Sequence, residues 1–494
     1  MLRSIIEYYA EHERYRCGYC KGSDTNYGHG MWAHTMTVSD YQDLIDRGWR
    51  RSGKYVYKPT ISIICCPSYT IRCKALEFKA SKSQKKVLKQ FNKYLIGQEE
   101  AAGGGDQQMS SGSEDIRLED YGEGPELFVE TSNAHRDINL TSLVAPVESN
   151  SISSNDKNPE GEMSEIDTSE DKNALRDSQE CKKVTCVDPS RVPCKKAKQL
   201  RIERKLERLK QKGIDVSTLE KKQNKEKQVE DFINELPKET KRKLKIKLVR
   251  TNPPSPEWLE TAKETHQVYV KYQTTVHGDK PEKCTQPKFE DFLVQSPLLE
   301  EHNESGPACG YGSFHQQYWL DGKIIAVGVI DVLPKCVSSV YFFYDPQYRN
   351  LTLGTYGALR EIEFTRHLHT CAPELKYYYM GFYIHSCRKM RYKGNFFPSD
   401  LLCPETYKWI PIRDCIPILE ITPYSRLDPD IDSIDENYPT EDDINYIPML
   451  FKGEVTSYKT YKRKMGKRAD NADVLMEYAK LVGAKSAKSL VMFV

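Results

Sequence analysis

The chain lacks any apolar run that approaches the ~20 residues a membrane-spanning helix requires. It also lacks the pattern of a secretory signal, because charged side chains interrupt the apolar ones near the start of the chain. These charged residues are Glu7, Glu11, Glu13 and Arg14. We therefore expect a soluble, intracellular protein that does not bind membranes.

Hydrophobic residues are also scarce, making up 38% of the 494 residues, whereas charged residues make up 29%. That is little apolar material for one continuous core, so part of the chain is expected to stay unfolded. Residues 97–190 combine glycine and serine runs with acidic residues and few aromatics, which predicts a disordered linker. The net charge of +2 indicates no polyanionic partner by itself, but the basic residues are concentrated in a few segments.

Cysteine is the abundant exception, with fifteen residues. In a reducing compartment such a number points to metal or redox sites rather than to a disulfide framework. Cys17 and Cys20 form a C-x-x-C motif, and Cys65, Cys66 and Cys73 follow within sixty residues. Four thiolates hold a structural zinc ion, and iron–sulfur clusters are held in the same way. The spacing therefore predicts a metal or cluster site.

The ligand set is open at this stage. Cys65 and Cys66 are adjacent, so in a regular strand their side chains would point to opposite faces. Both reach one centre only where the strand ends, and Pro67 is a residue at which it could end. Otherwise Cys73 replaces one of them. Further candidate ligands are His29 and His34.

Periodicity divides the rest of the chain into elements. In the first part we predict a helix at 41–49, strands at 54–58 and 60–66, and a basic helix at 82–95. Two further basic elements follow, a helix at 195–212 and a strand at 241–248. In the last part we predict a short helix at 289–293, strands at 314–320, 323–332, 337–344 and 375–384, and a helix at 353–367.

The order of hairpin, strand, helix and strand in the last part is that of an acetyltransferase-like (GNAT-like) fold. In that fold a mostly antiparallel sheet splits around a helix, and the acyl donor enters the split. The predicted class is thus α+β. The predicted domains are a Cys-rich module at 1–96, a linker at 97–190, a basic segment at 191–254 and a GNAT-like domain at 255–494.

Six motifs at the two ends of the chain carry a resemblance to a known family. They are C-G-Y-C at 17–20, G-W-R-R-S-G-K-Y-V-Y-K-P at 48–59, C-C-P-S-Y-T-I-R-C at 65–73, V-Y-F-F-Y-D-P-Q-Y at 340–348, L-G-T-Y-G-A-L-R-E-I at 353–362 and Y-Y-M-G-F-Y-I-H-S-C-R-K-M-R-Y-K-G at 378–394. On these motifs the chain resembles the eukaryotic arginyl-tRNA–protein transferases.

The resemblance implies transfer of arginine from arginyl-tRNA to the α-amine of proteins that begin with Asp, Glu or oxidised Cys. It implies an N-degron role in the ubiquitin–proteasome pathway, in the cytoplasm and nucleus. It also implies an iron–sulfur cluster or zinc at the N-terminal cysteines and no use of acetyl-CoA. The implied ligands are Cys17, Cys20, Cys65 and Cys66.

This chemistry needs no covalent nucleophile, because the donor ester is already activated and the acceptor amine has a pKa of ~7.7–8.0. Positioning alone supplies ~7–11 kcal/mol of barrier reduction, and the chain indeed lacks G-x-S-x-G and H-E-x-x-H motifs. For proton handling we predict the residues at the ends of two strands. These residues are Tyr383, His385 and Asp345.

Recognition of the acidic acceptor needs cations, and arginine binds carboxylates in bidentate fashion. The predicted substrate-binding residues follow the last strand or close the strand before it: Tyr344, Arg388, Lys389, Arg391 and Lys393. Arg388 stands where the family motif usually has proline. Transfer RNA is gripped by its phosphates. Three basic segments are candidates for these contacts, 82–93, 195–212 and 241–250. In the last of them the predicted contacts are Lys241, Arg242 and Lys243.

Two other functions fit part of the pattern. An acetyl-CoA-dependent N-acetyltransferase would carry a Q/R-x-x-G-x-G/A loop before the helix, and the corresponding stretch, Arg349 to Gly354, lacks that spacing. A non-enzymatic zinc-finger RNA-binding protein would explain the cysteines and the basic segments. It would leave the tyrosine-rich last part of the chain without a role.

Overall fold

The computed structural model describes residues 3–10, 14–98, 203–204, 207–208, 227–466 and 471–494. All of these except the residues at 203–208 belong to one compact unit. The predicted linker lies almost wholly outside the described residues, and so does most of the predicted basic helix at 195–212. No helix among the described residues is long and apolar enough to cross a membrane.

Fifteen strands form two sheets in the described part of the chain. In chain order they are β1 Ile5–Tyr9, β2 Gly28–Thr35, β3 Arg50–Ser52, β4 Tyr55–Pro59, β5 Tyr69–Lys74, β6 Leu244–Asn252, β7 Gly312–Leu320, β8 Lys323–Val332, β9 Cys336–Tyr344, β10 Tyr377–Tyr383, β11 Ser399–Leu402, β12 Trp409–Pro411, β13 Pro448–Phe451, β14 Glu454–Ser457 and β15 Val491–Phe493.

The described residues also form eleven α-helices. They are α1 Val38–Ile45, α2 Lys82–Ile96, α3 Val229–Asn234, α4 Pro256–Tyr272, α5 Gln286–Phe289, α6 Leu353–His369, α7 Arg388–Arg391, α8 Ile412–Ile421, α9 Tyr458–Met465, α10 Ala472–Val482 and α11 Ala484–Ser489. Shorter 3₁₀ or π turns lie at Gln273–His277, Pro281–Lys283, Glu290–Val294, Pro346–Leu351, Tyr392–Asn395 and Asp443–Tyr446.

Strands from both ends of the chain share each sheet. The seven-stranded sheet has the order β14-β13-β15-β1-β2-β4-β3, and the eight-stranded sheet has the order β12-β11-β5-β10-β9-β8-β7-β6. β5 lies between β10 and β11, and its residues Tyr69, Ile71 and Cys73 bury one face of the strand. Residues 1–96 therefore do not fold as the separate Cys-rich module that composition predicted.

A buried ion pair joins the two ends of the chain. Nε and Nη2 of Arg51 in β3 donate to the two carboxylate oxygens of Asp331 in β8 at 2.7 and 2.6 Å. Ser313 adds a hydroxyl donor to the same carboxylate at 2.7 Å. Both charged side chains are almost completely buried. A buried charge is costly unless it is paired and hydrogen-bonded, so this pair fixes β3 against β8.

Most predicted elements are confirmed, including the hairpin of β7 and β8, the basic helix α2 and the basic strand β6. The strand predicted at 60–66 is wrong, because these residues form consecutive turns. The amide of Ile63 donates to the carbonyl of Thr60, and the amide of Cys65 donates to that of Thr25. The segment therefore turns back toward the first cysteine loop.

The eight-stranded sheet opens between β9 and β10. The two strands pair in parallel only where Tyr377, Tyr378 and Tyr379 face the first residues of β9. Beyond that point no pairing joins them, and β10 is irregular between Tyr379 and Phe382. Gly381 adopts a φ of +68° there, a conformation that side chains with a Cβ rarely adopt. Helix α6 connects the two strands.

Candidate metal centre and active site

The first cysteine pair sits on a tight turn. A bridge between Tyr15 and Asn26 closes the loop, and the amide of Cys17 donates to the carbonyl of Gly22 at 2.9 Å. The amide of Tyr19 points at the Cys17 sulfur at 3.4 Å. This geometry turns the sulfurs of Cys17 and Cys20 toward the same side of the loop.

The second pair comes from the turns at 61–66. Because this segment is not a strand, the side chains of Cys65 and Cys66 both face the first loop. The sulfur of Cys65 lies 3.2 Å from that of Cys20 and 3.1 Å from the hydroxyl of Thr25. The turn thus resolves how two adjacent cysteines reach one centre.

All four sulfurs lie within 4.8 Å of one another. A tetrahedral zinc ion with bonds of ~2.3 Å holds four sulfurs about 3.8 Å apart, so the four side chains fit a single ion. The alternative ligands are not members of this group. Cys73 lies in β5 opposite Tyr378 and Ser399, and His29 and His34 lie on β2.

The four thiols differ in how readily they ionise. Hydrogen bonds from the Gly22 backbone and from Cys65 lower the pKa of Cys20 to about 7. Burial instead raises the pKa of Cys66. A thiolate is the form that binds metal. A cation bound between the four sulfurs would favour ionisation of the buried thiols as well.

The cysteine centre lies directly against the end of β10. Cys17, Cys66 and Ile384 form one buried cluster, and Cys387 and Met390 pack on it. Ile384 is the residue between Tyr383 and His385 in the chain. The cysteine centre and the predicted proton-handling residues are therefore neighbours, although more than 300 residues separate them in the sequence.

Tyr383 and His385 form a pair. The Tyr383 hydroxyl lies 2.8 Å from Nδ1 of His385. Burial raises the pKa of Tyr383 to about 12. Burial and then the charge of Arg391 lower the pKa of His385. Both groups are therefore neutral near pH 7. When Nδ1 carries the proton and donates to the phenol, Nε2 is free to accept a proton from a substrate.

The predicted cationic residues follow on α7 and the next turn. Arg388 and Arg391 are exposed, while Lys389 and Lys393 are half-buried. Nε of Arg391 donates to the carbonyl of His385 at 2.7 Å, which ties the cationic segment to the pair. The two arginines are thus open to solvent, and Arg391 also contacts the backbone of the Tyr383–His385 pair. Lys393, in contrast, turns inward.

Lys393 lies beside a cation that the sequence did not single out. Its ammonium donates to the carbonyl of Phe382 at 2.9 Å. Burial and the nearby charge of Arg50 lower the pKa of Lys393 to about 7. In the sequence Arg50 is one of two adjacent arginines before a turn, and only the packing separates its role from that of Arg51.

Asp345 is less free than the sequence suggested. One carboxylate oxygen accepts from the ammonium of Lys271 at 2.7 Å, and the other accepts from the amide of Gln347 at 3.1 Å and caps a 3₁₀ turn. These contacts stabilise the carboxylate and compete with a role as base. Tyr344 packs edge-on against Tyr272, with ring centroids 5.0 Å apart.

A buried glutamate that sequence reasoning missed lies where β9 and β10 separate. Glu361 in α6 is 1% exposed. One of its oxygens accepts from the hydroxyl of Tyr378 at 2.6 Å, and the other has no partner. Burial raises the pKa of Glu361 to about 7. In the sequence Glu361 stands in a charged stretch that is typical of a solvated helix face.

Two of the three predicted basic segments adjoin. The amide of Arg242 donates to the carbonyl of Leu95 at 2.9 Å, and its guanidinium stacks on the ring of Tyr94 at 4.1 Å. Lys241 and Lys243 are exposed. β6 is an edge strand, so its lysines and those of α2 form one basic surface at that edge.

Sequence comparison indicates the class of protein to which this site belongs. A family model described as "Arginine-tRNA-protein transferase, N terminus" matches residues 15–86. The corresponding model for the C terminus matches residues 264–403. The first match contains all four cysteines, and the second contains β7 to β10. The class is that of the aminoacyl-tRNA-dependent transferases.

Relatives along the whole chain make the assignment specific. Arginyl-tRNA–protein transferase 1 of Drosophila melanogaster is 41% identical over 99% of both chains. Arginyl-tRNA–protein transferase 2 of Arabidopsis thaliana is 34% identical over 83% of this chain and 76% of its own. An aspartate/glutamate leucyltransferase of Pseudomonas aeruginosa (strain LESB58) is 30% identical over 34% of this chain and 62% of its own. The chain belongs to the arginine-tRNA–protein transferase family.

Proposed function

We propose that this protein transfers arginine from arginyl-tRNA to the α-amino group of proteins that begin with Asp, Glu or oxidised Cys. The observation that carries the proposal is the similarity along both ends of the chain to arginyl-tRNA–protein transferases. We further propose that the transfer acts in the N-degron pathway, in the cytoplasm and nucleus, and marks the acceptors for ubiquitin–proteasome degradation.

We propose that the aminoacyl end of the tRNA enters the opening between β9 and β10, as an acyl donor does in a GNAT-like fold. The parallel pairing that stops after three residues supports this proposal, and so does the crossover through α6. Tyr344 ends β9 and Tyr383 ends β10, so the predicted reactive residues lie on the same edge of the sheet. Backbone groups released by the separation of the strands are available to a donor there.

The reaction is the aminolysis of an ester. The neutral α-amine of the acceptor attacks the arginyl carbonyl carbon, an amide bond forms, and the ester bond to the tRNA breaks. The amine loses a proton, and the departing ribose oxygen gains one. In our proposal Nε2 of His385 accepts the proton of the amine, and Tyr383 exchanges a proton with Nδ1. Bonds and protons are therefore accounted for without a further reactant.

The cationic segment binds the acceptor in this scheme. Arg388, Lys389 and Arg391 attract an acidic N-terminus, and the bond from Arg391 to the His385 carbonyl keeps that charge next to the proton acceptor. The ring of Tyr344 lines the site where the acceptor binds. Asp345 acts through Lys271, as a positioning residue, rather than as a base, because both of its oxygens are occupied.

We propose that the four cysteines hold zinc or an iron–sulfur cluster. Their compact spacing favours a single ion, because a four-iron cluster attaches each cysteine to a different iron and spreads the sulfurs further apart. An ion there supplies the energy that keeps two loops together. Ester aminolysis needs no metal, so the cysteines act by supporting Ile384 and the end of β10.

The test is transfer of labelled arginine from arginyl-tRNA to a Glu-starting peptide by the purified full chain. The same peptide with an acetylated N-terminus is the control, since it has no free α-amine. A parallel reaction with labelled acetyl-CoA tests the acetyltransferase alternative. Labelling of the free peptide alone is expected. Equal labelling of the blocked peptide, or transfer only from acetyl-CoA, would contradict the proposal.

A further inference from the structure

Three arginines are buried to more than nine-tenths in the described part of the chain: Arg47, Arg50 and Arg51. Two of them pair with a buried carboxylate, Arg47 with Asp435 at 2.7 Å and Arg51 with Asp331 at 2.6 Å. Arg50 has no carboxylate partner. Burial of an unpaired charge is costly, so Arg50 requires a separate explanation.

The contacts of Arg50 leave one edge of the guanidinium open. Nη1 donates to the carbonyls of Trp49 and Ile45 at 2.6 and 3.3 Å, and Nη2 makes one long contact of 3.4 Å with the carbonyl of Gly381. Nε has no partner. In the adjacent Arg51, the edge formed by Nε and Nη2 is the one that binds a carboxylate.

A second cation, Lys393, lies close to Gly381, the residue that Arg50 contacts. Lys393 contacts the carbonyl of Phe382, the residue after the glycine that Arg50 contacts. Burial and then the charge of Arg50 lower the pKa of Lys393, and the group that opposes them is the thiol of Cys387 rather than a carboxylate. Two neighbouring cations without a carboxylate partner repel each other. An anion that binds between them removes that repulsion and completes the hydrogen bonds of Arg50.

We propose that Arg50 and Lys393 form the subsite that binds the acidic side chain of the acceptor's first residue. The proposal rests on the proposed function and names the residues that select its substrates. The ligand is an anion with two acceptor oxygens: the carboxylate of Asp or Glu, or the sulfinate of oxidised Cys.

The position of the subsite suits this role. Gly381 and Phe382 directly precede Tyr383, whose hydroxyl reaches His385. An anion held beside Gly381 and Phe382 therefore lies next to the strand end that carries the Tyr383–His385 pair. Lys393 is half-buried whereas Arg50 is buried, so in this proposal the anion meets Lys393 before it reaches the guanidinium.

The subsite also explains how a neutral first residue is rejected. A Gln-starting peptide has nearly the same shape as a Glu-starting one, but it brings no charge to the two cations. The site then keeps its unpaired charges, which disfavours the complex. Selection thus comes from the cost of leaving Arg50 and Lys393 without an anion.

The experiment compares Glu-starting and Gln-starting peptides as acceptors for wild-type protein, Arg50→Met, Arg50→Lys and Lys393→Met. Loss of a charge-assisted hydrogen bond is expected to raise KM for the Glu peptide roughly ten- to a hundred-fold, with a much smaller change in kcat. The preference for Glu over Gln falls in both methionine variants, and Arg50→Lys restores part of it. Arg413→Gln, an exposed arginine on α8, is the control that keeps the preference.

A folded variant that keeps the wild-type preference overturns the subsite. If the variants unfold, the rate at which an amine-reactive reagent modifies Lys393 in the wild-type protein decides the question by mass spectrometry. The Glu peptide is expected to slow this modification and the Gln peptide is not, and equal rates overturn the proposal. Wild-type protein that transfers arginine to no acceptor contradicts the proposed function instead.

Discussion

Cys66 lies in one buried cluster with Ile384, the residue that separates Tyr383 from His385 in the chain. Through this contact the cysteine centre supports the end of β10, where the proposed proton transfer takes place. Cys387 and Met390 extend the same cluster into α7. Loss of a metal from this centre is therefore expected to shift the segment to which we assign the proton transfer.

Loss of one ligand is expected to loosen residues 384–391. Cys20→Ala is the informative variant, because Cys20 is exposed and its removal leaves the buried packing of Cys17 and Cys66 in place. We expect faster amide hydrogen exchange at 384–391 and a kcat lower by about ten-fold or more. Losses of this size are typical when a metal site in a protein loses a group that keeps its ligands in place.

Cys371→Ala is the matched control for this variant, since Cys371 is also exposed but lies outside the cysteine cluster. It should leave both exchange and kcat unchanged. If Cys20→Ala loses activity while exchange at 384–391 stays at the wild-type rate, the cysteines do not act through Ile384.

The spacing of the sulfurs predicts the stoichiometry of the metal. Four sulfurs within 4.8 Å suit one tetrahedral ion, so native mass spectrometry of anaerobically purified protein should give one metal ion per chain. Cys65→Ser is expected to remove it, and Cys73→Ser, a change in the core of β5, should retain it. Several irons with inorganic sulfide per chain would contradict this spacing argument.

Local patterns predicted most elements, because hairpins, amphipathic helices and the cysteine pair depend on residues close in the sequence. They did not predict that β5 enters the C-terminal sheet, since that depends on partners about 300 residues away. The turns at 61–66 were missed for a similar reason. The composition of this segment is typical of a strand, but its conformation follows from contacts with the loop around Cys17 and Thr25.

The candidate site divides in the same way. Tyr383 and His385 were predicted from their place at a strand end, and the structure brings their side chains into contact. Arg50 and Glu361 were missed because a single sequence does not distinguish a buried charge from a solvated one. Their environments depend on residues that reach them only through the fold.

The pH profile should report His385. In the proposed mechanism its neutral form is the proton acceptor. The pKa of His385 is lowered by burial and by Arg391, while Glu420 acts in the opposite direction. The neutral form therefore persists as the pH falls through the usual value of ~6.5 and is lost only at lower pH. Arg391→Gln removes one cause of the shift, so the loss should begin at a higher pH.

The measurement is kcat/KM for a Glu-starting peptide between pH 5 and 8. Titration of the acceptor amine alone gives a limiting slope of one when log kcat/KM is plotted against pH. Below the pKa of His385, protonation of that residue raises the slope to two. His385→Gln should keep a slope of one throughout. A second unit of slope that survives in this variant would assign it to another group.

The ion pair between Arg51 and Asp331 should be a major source of stability. Asp331→Asn leaves a buried guanidinium without its counter-charge, and such a loss costs about 3–5 kcal/mol. Urea unfolding of the full chain measures it. Glu374→Gln, which removes an exposed partner of Lys376, is the control and should cost less than about 1 kcal/mol. Equal effects of the two changes would mean that the buried pair does not join the ends of the chain.

The basic surface at the edge of β6 should contact the phosphates of the tRNA. Lys241 and Lys243 are exposed, while Arg242 is stacked on Tyr94. We therefore expect Lys241→Gln and Lys243→Gln each to lower the slope of log K against log salt by about one unit, with no loss of stability. Arg242→Gln should mainly destabilise the protein, because it removes the contact with α2.

Lys459→Gln is the control for these lysine variants, since Lys459 is exposed on α9, far along the chain from the basic surface. It should keep the wild-type slope. Because each phosphate contact releases counterions independently, the double variant Lys241→Gln/Lys243→Gln should lower the slope by about the sum of the two single changes. An unchanged slope in the double variant, with weaker binding at every salt concentration, would mean that these lysines shape the surface without touching the phosphates.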